Sequence, residues 1–335
     1  MNTLANNQKS VGILGTGSYI PPKLVTNEDI EKIVDTTDEW IITRTGIKTR
    51  YIVEPEVATS DLATEAALRA LKDANVKAEE IDLIIVATVT PDMAFPSTAC
   101  IVQNNINARN AAAFDLGAGC SGFIYGLTVG KQFILSGIYK KILIIGAETL
   151  SKIVDWSDRN TCVLFGDGAG AVVIGTTEEG KGILSENLGA DGEGGKFLTI
   201  PGGGSRMPAT LESVEGKYHY VKMDGSEVFK FAVRIMNKAS MEAIEKSGYS
   251  IDQIDYLVPH QANIRIIESA AKKLKLSMDK VHVNLDKYGN MSAASIPVSL
   301  DEAVKQGKIK KDDIVVMVGF GAGLTWGACV MKWNK

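Results

Sequence analysis

The chain has 335 residues, of which 45% are hydrophobic and 23% are charged, and this composition supplies enough material for a large hydrophobic core. The length suits two domains, or one large domain made of two halves. The net charge of −4 gives no reason to expect nucleic acid or an anionic membrane as a partner.

Cysteine and histidine usage argues against several other classes of protein. The four cysteines show no paired spacing, which favours a reduced, cytoplasmic setting, and the three histidines are too scattered to predict a metal site. Residues 1–10 are polar, so no signal peptide is expected. Apolar runs such as residues 142–145 are far too short to span a bilayer.

Residues 11–20 predict an opening strand that ends at a Pro-Pro pair. Two glycines in this strand match the start of a dinucleotide-binding fingerprint. The third glycine is missing, however, and the prolines would stop the helix that holds a pyrophosphate, so a nicotinamide oxidoreductase is disfavoured. Asn27 is then expected to cap a helix over residues 28–34.

A long amphipathic helix is predicted to open at Thr59 and Ser60. Its buried side is marked by four apolar residues, Leu62, Ala66, Leu68 and Leu71. A buried strand is predicted next, over residues 81–90, and a proline stops it.

Residues 111–125 combine a short apolar strand, a glycine turn and Cys120 at the start of an amphipathic helix. Unpaired backbone N–H groups and the positive end of the helix dipole at such a position favour the thiolate, which is the nucleophilic form. The small neighbouring residues would let a substrate carbonyl approach a backbone N–H. Burial of Cys120 as a mere packing residue stays an alternative.

The middle of the chain is predicted to close the first half. A strand is expected over residues 141–146, and the glycine-rich run 164–175 leads into another strand rather than a helix. Close backbone packing therefore explains that run better than a phosphate cradle. Residues 176–222 are rich in glycine and are expected to be mainly loop, and a second long helix is predicted over 225–246.

The second half repeats the pattern of the first. Three pairs of segments carry the repeat: 81–86 with 254–258, 111–137 with 281–306, and 141–146 with 313–319. Within the second pair, residues 281–285 are the expected strand and 292–306 the expected helix. The sequence thus predicts an α/β protein made of two duplicated mixed α/β halves, residues 1–180 and 181–335.

The repeat relates three polar residues that are distant in the chain. Cys120 and Asn290 fall at equivalent helix starts, and His260 follows the strand at 254–258. Because ligands favour the carboxyl ends of strands in α/β sheets, we expect the three side chains to converge on one cleft. Each signal is weak alone, since His260 can be a structural residue and Asn290 a helix cap.

Six segments of the chain are long and specific motifs: TTDEWIITRTGI at 36–47, GCSGF at 119–123, FGDGAG at 165–170, HQAN at 260–263, GNMSAAS at 289–295 and GFGAGLTWG at 319–327. With them the chain resembles the β-ketoacyl-acyl carrier protein synthase III family of the thiolase-like superfamily, over residues 11–333. The resemblance implies a thiolase-like fold, in which the two halves stack in α-β-α-β-α layers.

The resemblance also implies an acyltransferase reaction. Cys120 would take the acyl group of acetyl-CoA or a short branched acyl-CoA as a covalent thioester. Malonyl-acyl carrier protein would then lose CO2, and its enolate would attack the acyl-enzyme to give a 3-oxoacyl-acyl carrier protein. His260 and Asn290 are the implied hydrogen-bond donors to the enolate oxygen. No cofactor is implied, since acyl-CoA is a substrate.

Further roles come from the resemblance alone. The oxyanion is implied to lie on the backbone N–H groups of Cys120 and Ala322, although relatives often have glycine at the second position. Phe95 matches a residue that crosses a homodimer interface to the end of the acyl pocket.

Two binding surfaces are implied in the same way. The CoA contacts are Trp40, Arg44, Thr45, Arg159 and Asn263. The acidic carrier protein is expected to dock on Arg265, Lys272 and Lys273, which make one helix locally basic.

Two other functions remain open from the sequence. A specialised polyketide-type condensing enzyme would carry the same Cys/His/Asn set with different substrates. A non-catalytic carrier-protein-binding partner would keep the fold, but the presence of all three residues argues against it.

Overall fold

A computed structural model describes residues 10–335 of the chain. The expectation about a signal peptide concerns residues 1–10 and therefore lies, apart from Ser10, outside the described residues. Within the described residues, no helix is both long enough and apolar enough to cross a membrane.

The elements alternate along the chain as an α/β protein requires. The strands are β1 (Ser10–Tyr19), β2 (Lys23–Thr26), β3 (Thr49–Ile52), β4 (Leu83–Ala87), β5 (Ala112–Leu116), β6 (Lys141–Glu148), β7 (Gly168–Thr177), β8 (Gly182–Ala190), β9 (Leu198–Thr199), β10 (Lys222–Met223), β11 (Tyr256–Pro259), β12 (Ile314–Gly321) and β13 (Thr325–Lys332). The helices are α1 (Asn27–Glu31), α2 (Asp38–Thr45), α3 (Thr59–Ala74), α4 (Thr98–Asn105), α5 (Gly122–Leu135), α6 (Arg159–Cys162), α7 (Leu211–Glu215), α8 (Gly225–Ser247), α9 (Ile264–Lys273), α10 (Leu285–Tyr288) and α11 (Ser295–Lys305).

Two mixed sheets form the body of the molecule. The first has the order β1-β7-β6-β4-β5, with β4 parallel to both β5 and β6. The second has the order β11-β12-β13-β8, with β11 parallel to β12. The chain passes from the first sheet to the second between Thr177 and Gly182, and the division into halves at residue 180 stays a prediction.

Helices cover and separate the two sheets. One core joins α3 and α4 to the outer face of the first sheet, and another joins α8 and α9 to the outer face of the second. Between the sheets, Phe123 of α5 and Ile296 of α11 share a core with Ile85 and Met317. This arrangement confirms the layered α-β-α-β-α fold and brings the starts of α5 and α11 together at its centre.

Glycines in the strands allow this close packing. A Cβ on Gly15 or Gly17 of β1 would lie 2.3 Å from a backbone nitrogen of α3. A Cβ on Gly146 of β6 would lie 2.2 Å from the Ala293 carbonyl oxygen, just before α11. The glycines that imitate a dinucleotide fingerprint are therefore packing positions between a strand and a helix.

Two expectations near the N-terminus were wrong in detail. Thr26, rather than Asn27, caps α1, because its hydroxyl accepts from Asp29 N while the Asp29 carboxylate accepts from Thr26 N. The helix is also shorter than expected and ends at Glu31. On α3, Leu68 is 45% exposed rather than buried.

Three other segments also differ from the sequence-based expectation. The strand predicted for 81–90 is limited to β4, because Thr88 and Thr90 turn out of the sheet toward a buried carboxyl. The region 176–222 contains β8, a nine-residue strand of the second sheet. The strand expected at 281–285 is reduced to a single parallel bridge between Leu257 and Val281.

Candidate active site

Cys120 lies in one 3-10 turn, Gly119–Ser121, between β5 and α5. Gly119 has a φ of 54°, and a Cβ there would lie 2.7 Å from Ala322 N, so only glycine fits this turn. On the other side, a Cβ on Gly321 would lie 2.3 Å from Cys120 N. The sulfur-bearing turn is thus clamped against the end of β12.

Burial dominates the chemistry of the Cys120 thiol. It raises the pKa of this thiol to about 12, although the nearby Ser292 side chain and the Cys120 backbone lower it. The helix start was expected to favour the thiolate, and burial opposes that effect. The helix start acts in the expected direction, but the loss of hydration is the larger effect.

His260 follows β11 and is buried. Its Nδ1 lies 2.6 Å from Ser295 Oγ, which also accepts from Gln261 N at 3.5 Å. We assign the tautomer in which the Ser295 hydroxyl donates to Nδ1 and the imidazole hydrogen is on Nε2. Burial lowers the pKa of His260 to about 3, so the ring is a neutral donor.

Asn290 is held by hydrogen bonds of its backbone and of its side-chain oxygen. Its N–H donates to Leu164 O at 2.9 Å, and its carbonyl accepts from Gly166 N at 3.0 Å. The side-chain Oδ1 accepts from Ser292 N at 2.9 Å. The capping contact therefore does not compete with a chemical role, because it orients the amide and leaves Nδ2 to donate.

The three side chains meet as expected. Cys120, His260 and Asn290 line one cavity of about 100 Å³. Cys120 also borders a second cavity of about 220 Å³, whose other walls are mainly apolar and include Leu150, Ile153 and Val221. A wider groove of about 400 Å³ beside α8 is charged and contains none of the three. The sulfur thus stands between a polar cavity and an apolar one.

A third cavity opens the site to the surface. It measures about 710 Å³, is lined by Trp40 and Thr45 among others, and shares Asn263 with the His260 cavity. The guanidinium of Arg159 lies 4.9 Å from the centroid of the Trp40 ring, and that of Arg44 lies 5.9 Å from it. The five expected CoA contacts are therefore gathered around one opening.

Two of these five residues also have local structural contacts. The Thr45 hydroxyl donates to Ile41 O and accepts from Ile47 N, which ends α2. The Asn263 side chain accepts from Arg265 N and donates to Arg44 O, so it caps α9 and joins it to α2.

Ala322 lies where an oxyanion donor is expected. It borders the apolar cavity together with Cys120, and its nitrogen faces the Gly119 turn. Gly323, with a φ of 138°, takes the unusual backbone shape in this segment, so the methyl group of Ala322 fits without strain. Its role as an oxyanion donor stays a prediction.

The remaining expected residues lie outside the cavities. Phe95 is 86% exposed and lines neither cavity of the single chain. On α9, the guanidinium of Arg265 lies 5.0 Å from the ring centroid of Phe229, which lines the His260 cavity. Among residues 10–335, the basic groups of Arg265, Lys272 and Lys273 form no ion pair.

Sequence reasoning missed three residues around this site. Ser295 orients His260, Ser292 faces Cys120, and Glu148 is a buried carboxyl at the end of β6. The two serines lie in a quoted motif, but nothing in their spacing assigns a contact. Glu148 ends an apolar strand, and no local pattern marks it. Within the described residues, no cluster of His, Cys, Asp or Glu could hold a metal ion.

Comparisons with known proteins agree over the whole described chain. Family models match residues 114–192 (3-oxoacyl-[acyl-carrier-protein (ACP)] synthase III) and 244–333 (the C-terminal part of the same family). The chain is 64% identical to the β-ketoacyl-[acyl-carrier-protein] synthase III of Caldanaerobacter subterraneus, covering 97% of this chain and 98% of that protein. It is 60% identical to the protein of the same name from Clostridioides difficile, covering 100% of both.

Solved structures give the same result. The 3-oxoacyl-[acyl-carrier-protein] synthase III of Aquifex aeolicus is 49% identical and superposes with a TM-score of 0.90, covering 97% of this chain and 100% of that one. A priming β-ketosynthase from the R1128 polyketide pathway is 34% identical, with a TM-score of 0.91 and coverage of 98% and 97%.

Proposed function

This chain belongs to the 3-oxoacyl-[acyl-carrier-protein] synthase III family, and we propose that Cys120 is its nucleophile and that His260 and Asn290 serve its condensation step. The enzyme is a condensing acyltransferase that initiates fatty acid synthesis, and the family uses acyl-CoA and malonyl-acyl carrier protein. The single observation that carries the residue assignment is the cavity that Cys120, His260 and Asn290 line together.

Acyl transfer comes first in this proposal. The Cys120 sulfur attacks the thioester carbonyl of acyl-CoA, and the backbone N–H groups of Cys120 and Ala322 receive the oxyanion. The carbon–sulfur bond to CoA then breaks, and the proton of the thiol ends on the CoA sulfur. The acyl chain extends into the apolar cavity beside Cys120.

Condensation follows in the polar cavity. His260 Nε2–H and the Asn290 Nδ2 amide donate to the thioester oxygen of the malonyl group as CO2 leaves and the enolate forms. Both donors are neutral and already oriented by Ser295 and by Ser292 N, so they need little reorganisation. The enolate carbon attacks the acyl-Cys120 thioester carbonyl, the carbon–sulfur bond to Cys120 breaks, and the 3-oxoacyl product forms as the Cys120 thiolate leaves.

The apolar cavity supports a short primer. At about 220 Å³, with walls that include Leu150, Ile153 and Val221, it suits acetyl or a short branched acyl group. Phe95 is exposed in the single chain, and we propose that in a homodimer its ring closes the acyl pocket of the partner.

Two docking surfaces complete the proposal. CoA lies at the opening marked by Trp40 and Arg159, where stacking and cation–π contacts suit a purine. The carrier protein docks on the basic side of α9, whose Arg265, Lys272 and Lys273 are complementary to an acidic partner.

The polyketide-type alternative is weaker. The relatives that are 60–64% identical are named β-ketoacyl-[acyl-carrier-protein] synthase III, whereas the polyketide priming enzyme is 34% identical. No separate feature of the site favours it.

A condensation assay tests the proposal. Acetyl-CoA with malonyl-acyl carrier protein should give 3-oxobutanoyl-carrier protein and CO2, and malonyl-CoA should replace the carrier protein poorly. Arg265→Glu should raise KM for malonyl-carrier protein about tenfold while acylation by acetyl-CoA stays as in wild type. Lys308→Glu, an exposed lysine after α11, is the matched charge-reversal control. Equal KM values for both variants would contradict the docking surface, and absence of product with wild type would contradict the reaction.

A further inference from the structure

Glu148 is a fully buried carboxyl held by hydrogen bonds alone. Its Oε2 accepts from Thr90 Oγ1 at 2.7 Å, from Val89 N at 3.1 Å and from Thr88 Oγ1 at 3.2 Å. Its Oε1 accepts from Val89 N at 3.3 Å and from Ala293 N at 3.4 Å. Among residues 10–335, no Lys, Arg or His pairs with it.

Ser292 lies between this carboxyl and the nucleophile. Its side chain is buried and lines the apolar cavity together with Cys120. Within the described part of the chain, its hydroxyl has no hydrogen-bond partner of ordinary geometry. Its chain neighbour Ala293 donates its N–H to Glu148 at 3.4 Å, so Ser292 lies beside the carboxyl while it lines the cavity of Cys120.

Ser292 is also an unfavourable residue for its position. Its φ of 44° is in the left-handed region, and its buried hydroxyl is unpaired. A glycine would avoid both costs. A hydroxyl kept at such a cost, in the cavity that Cys120 also lines, indicates a function that needs the oxygen.

The site needs a group that takes the thiol proton. Cys120 rests as a thiol because it is buried, and in the tautomer assigned above the neutral imidazole of His260 accepts at Nδ1 and donates at Nε2. His260 is therefore arranged as a donor to an oxyanion rather than as a base. The acceptor must come from elsewhere.

We propose that the Glu148 carboxylate accepts the Cys120 proton through the Ser292 hydroxyl during acyl transfer. The S–H bond of Cys120 breaks, its proton passes to Ser292 Oγ, and the hydrogen of Ser292 passes to Glu148. Ser292 keeps one hydrogen throughout, and the single negative charge moves from the carboxylate to the sulfur. When CoA leaves as a thiolate, Glu148 gives its proton to Ser292 Oγ, and the hydrogen of Ser292 passes to the CoA sulfur. This inference rests on Cys120 being the acylated residue.

The surroundings of Glu148 suit this exchange. Burial raises the pKa of Glu148 to about 7, so the carboxyl can hold either protonation state near neutral pH. The hydroxyls of Thr88 and Thr90 face it after β4, Ala293 N and Ser292 face it before α11, and Cys120 faces it from the turn before α5. Of these groups, the Cys120 thiol is the titratable one.

Single-turnover acylation by acetyl-CoA, followed as the mass of the intact protein between pH 5.5 and 9, tests the relay. The wild-type rate should rise with pH through an inflection near 7, where Glu148 ionises. Glu148→Gln should slow acylation about 10²-fold and remove the inflection, and Glu148→Asp should restore part of both. Ser292→Ala should slow acylation similarly, and the double variant should be no slower than either single one.

Ser240→Ala is the matched control, since Ser240 of α8 is also buried and its hydroxyl also lacks a partner within the described residues. It should acylate as wild type does. Circular dichroism and melting temperature establish the fold of each variant, and Ser292→Ala keeps the test valid if Glu148→Gln does not fold. Variants that acylate at the wild-type rate, or that slow equally at every pH with the inflection kept, would overturn the relay. A wild-type enzyme that gains no acyl group on Cys120 would overturn the proposed function as well.

Discussion

Before α5 and before α11 the chain makes the same single 3-10 turn, Gly119–Ser121 in one half and Ser292–Ala294 in the other. Each turn opens on a residue with positive φ, 54° at Gly119 and 44° at Ser292. At Gly119 a side chain has no room, because a Cβ would lie 2.7 Å from Ala322 N. At Ser292 a side chain is present, and it faces the nucleophile.

Both turns need a residue with positive φ at their first position. The difference between them shows that the residue type at that position is chosen for different reasons in the two turns. The first uses glycine because the backbone of Ala322 packs against it. The second keeps serine, although the left-handed conformation disfavours a side chain, and the structure offers a chemical reason for that oxygen. The first turn therefore carries the Cys120 sulfur, and the second carries the buried Ser292 hydroxyl near it.

The largest effect is expected from removing the sulfur of the first turn. Cys120→Ala should abolish acylation by acyl-CoA and should still release CO2 from malonyl-carrier protein, because His260 and Asn290 remain. Intact mass and CO2 release measure the two activities. Cys329→Ala is the control, since Cys329 is a buried thiol of β13 that lines neither cavity beside Cys120. Acylation that persists in Cys120→Ala would show that the nucleophile is a residue outside this turn.

The next effect concerns the donors that face the first turn. Asn290→Ala or His260→Ala should lower decarboxylation of malonyl-carrier protein about 10²–10³-fold, the usual scale for one oxyanion donor. Acylation of Cys120 should continue, because neither residue takes the thiol proton. CO2 release and acyl-enzyme formation are compared on the same samples. A variant that lost acylation alone would reverse the assignment of roles.

Substituting the two residues with positive φ tests whether the two turns affect the stability of the protein in opposite directions. Gly119→Ala should destabilise the protein by about 2 kcal/mol, since a left-handed alanine is strained and its Cβ meets Ala322 N. Ser292→Gly should stabilise it by about 1 kcal/mol, through relief of the strain and of the unpaired hydroxyl, while slowing acylation. Urea unfolding measures both. Similar losses of stability in the two variants would show that the turns are constrained alike.

The smallest effect is a pH dependence of stability. Burial raises the pKa of Glu148 from the ordinary 4.5 to about 7. Its contribution to stability is therefore fully present below about pH 4.5 and is lost as the pH rises through about 7. Glutamine does not titrate, so the melting temperature of wild type should fall relative to that of Glu148→Gln between these values. A constant difference would contradict the raised pKa.

The sequence predicted the fold well because its signals were long. The apolar strands at 141–146 and 313–319 and the helix from Gly225 gave clear patterns, and the six motifs identified the family. The errors fell where tertiary contacts overrule local pattern. Residues 281–285 looked like a strand but make one bridge, and Thr88 and Thr90 leave β4 to bind Glu148.

The site was predictable only in part. The repeat related Cys120 to Asn290, but the two turns align Cys120 with Ala293, and Asn290 lies two residues before the second turn. The fold still places both Cys120 and Asn290 beside His260. Spacing could not reveal that burial makes Cys120 a thiol at rest, because that depends on what packs over the turn. Glu148 was missed for the same reason, since it approaches Cys120 from a different strand. Its importance lies in contacts that no local pattern encodes.

The most direct test follows one covalent bond. Intact wild-type protein is treated with acetyl-CoA, its mass and modified peptide are recorded, and malonyl-carrier protein is then added. We predict one acetyl group, carried by Cys120, that disappears when malonyl-carrier protein is added and persists much longer in Asn290→Ala. An acetyl group on another residue would contradict the role of Cys120 as nucleophile. An acetyl group that clears equally fast from Asn290→Ala would contradict the role of Asn290 in condensation.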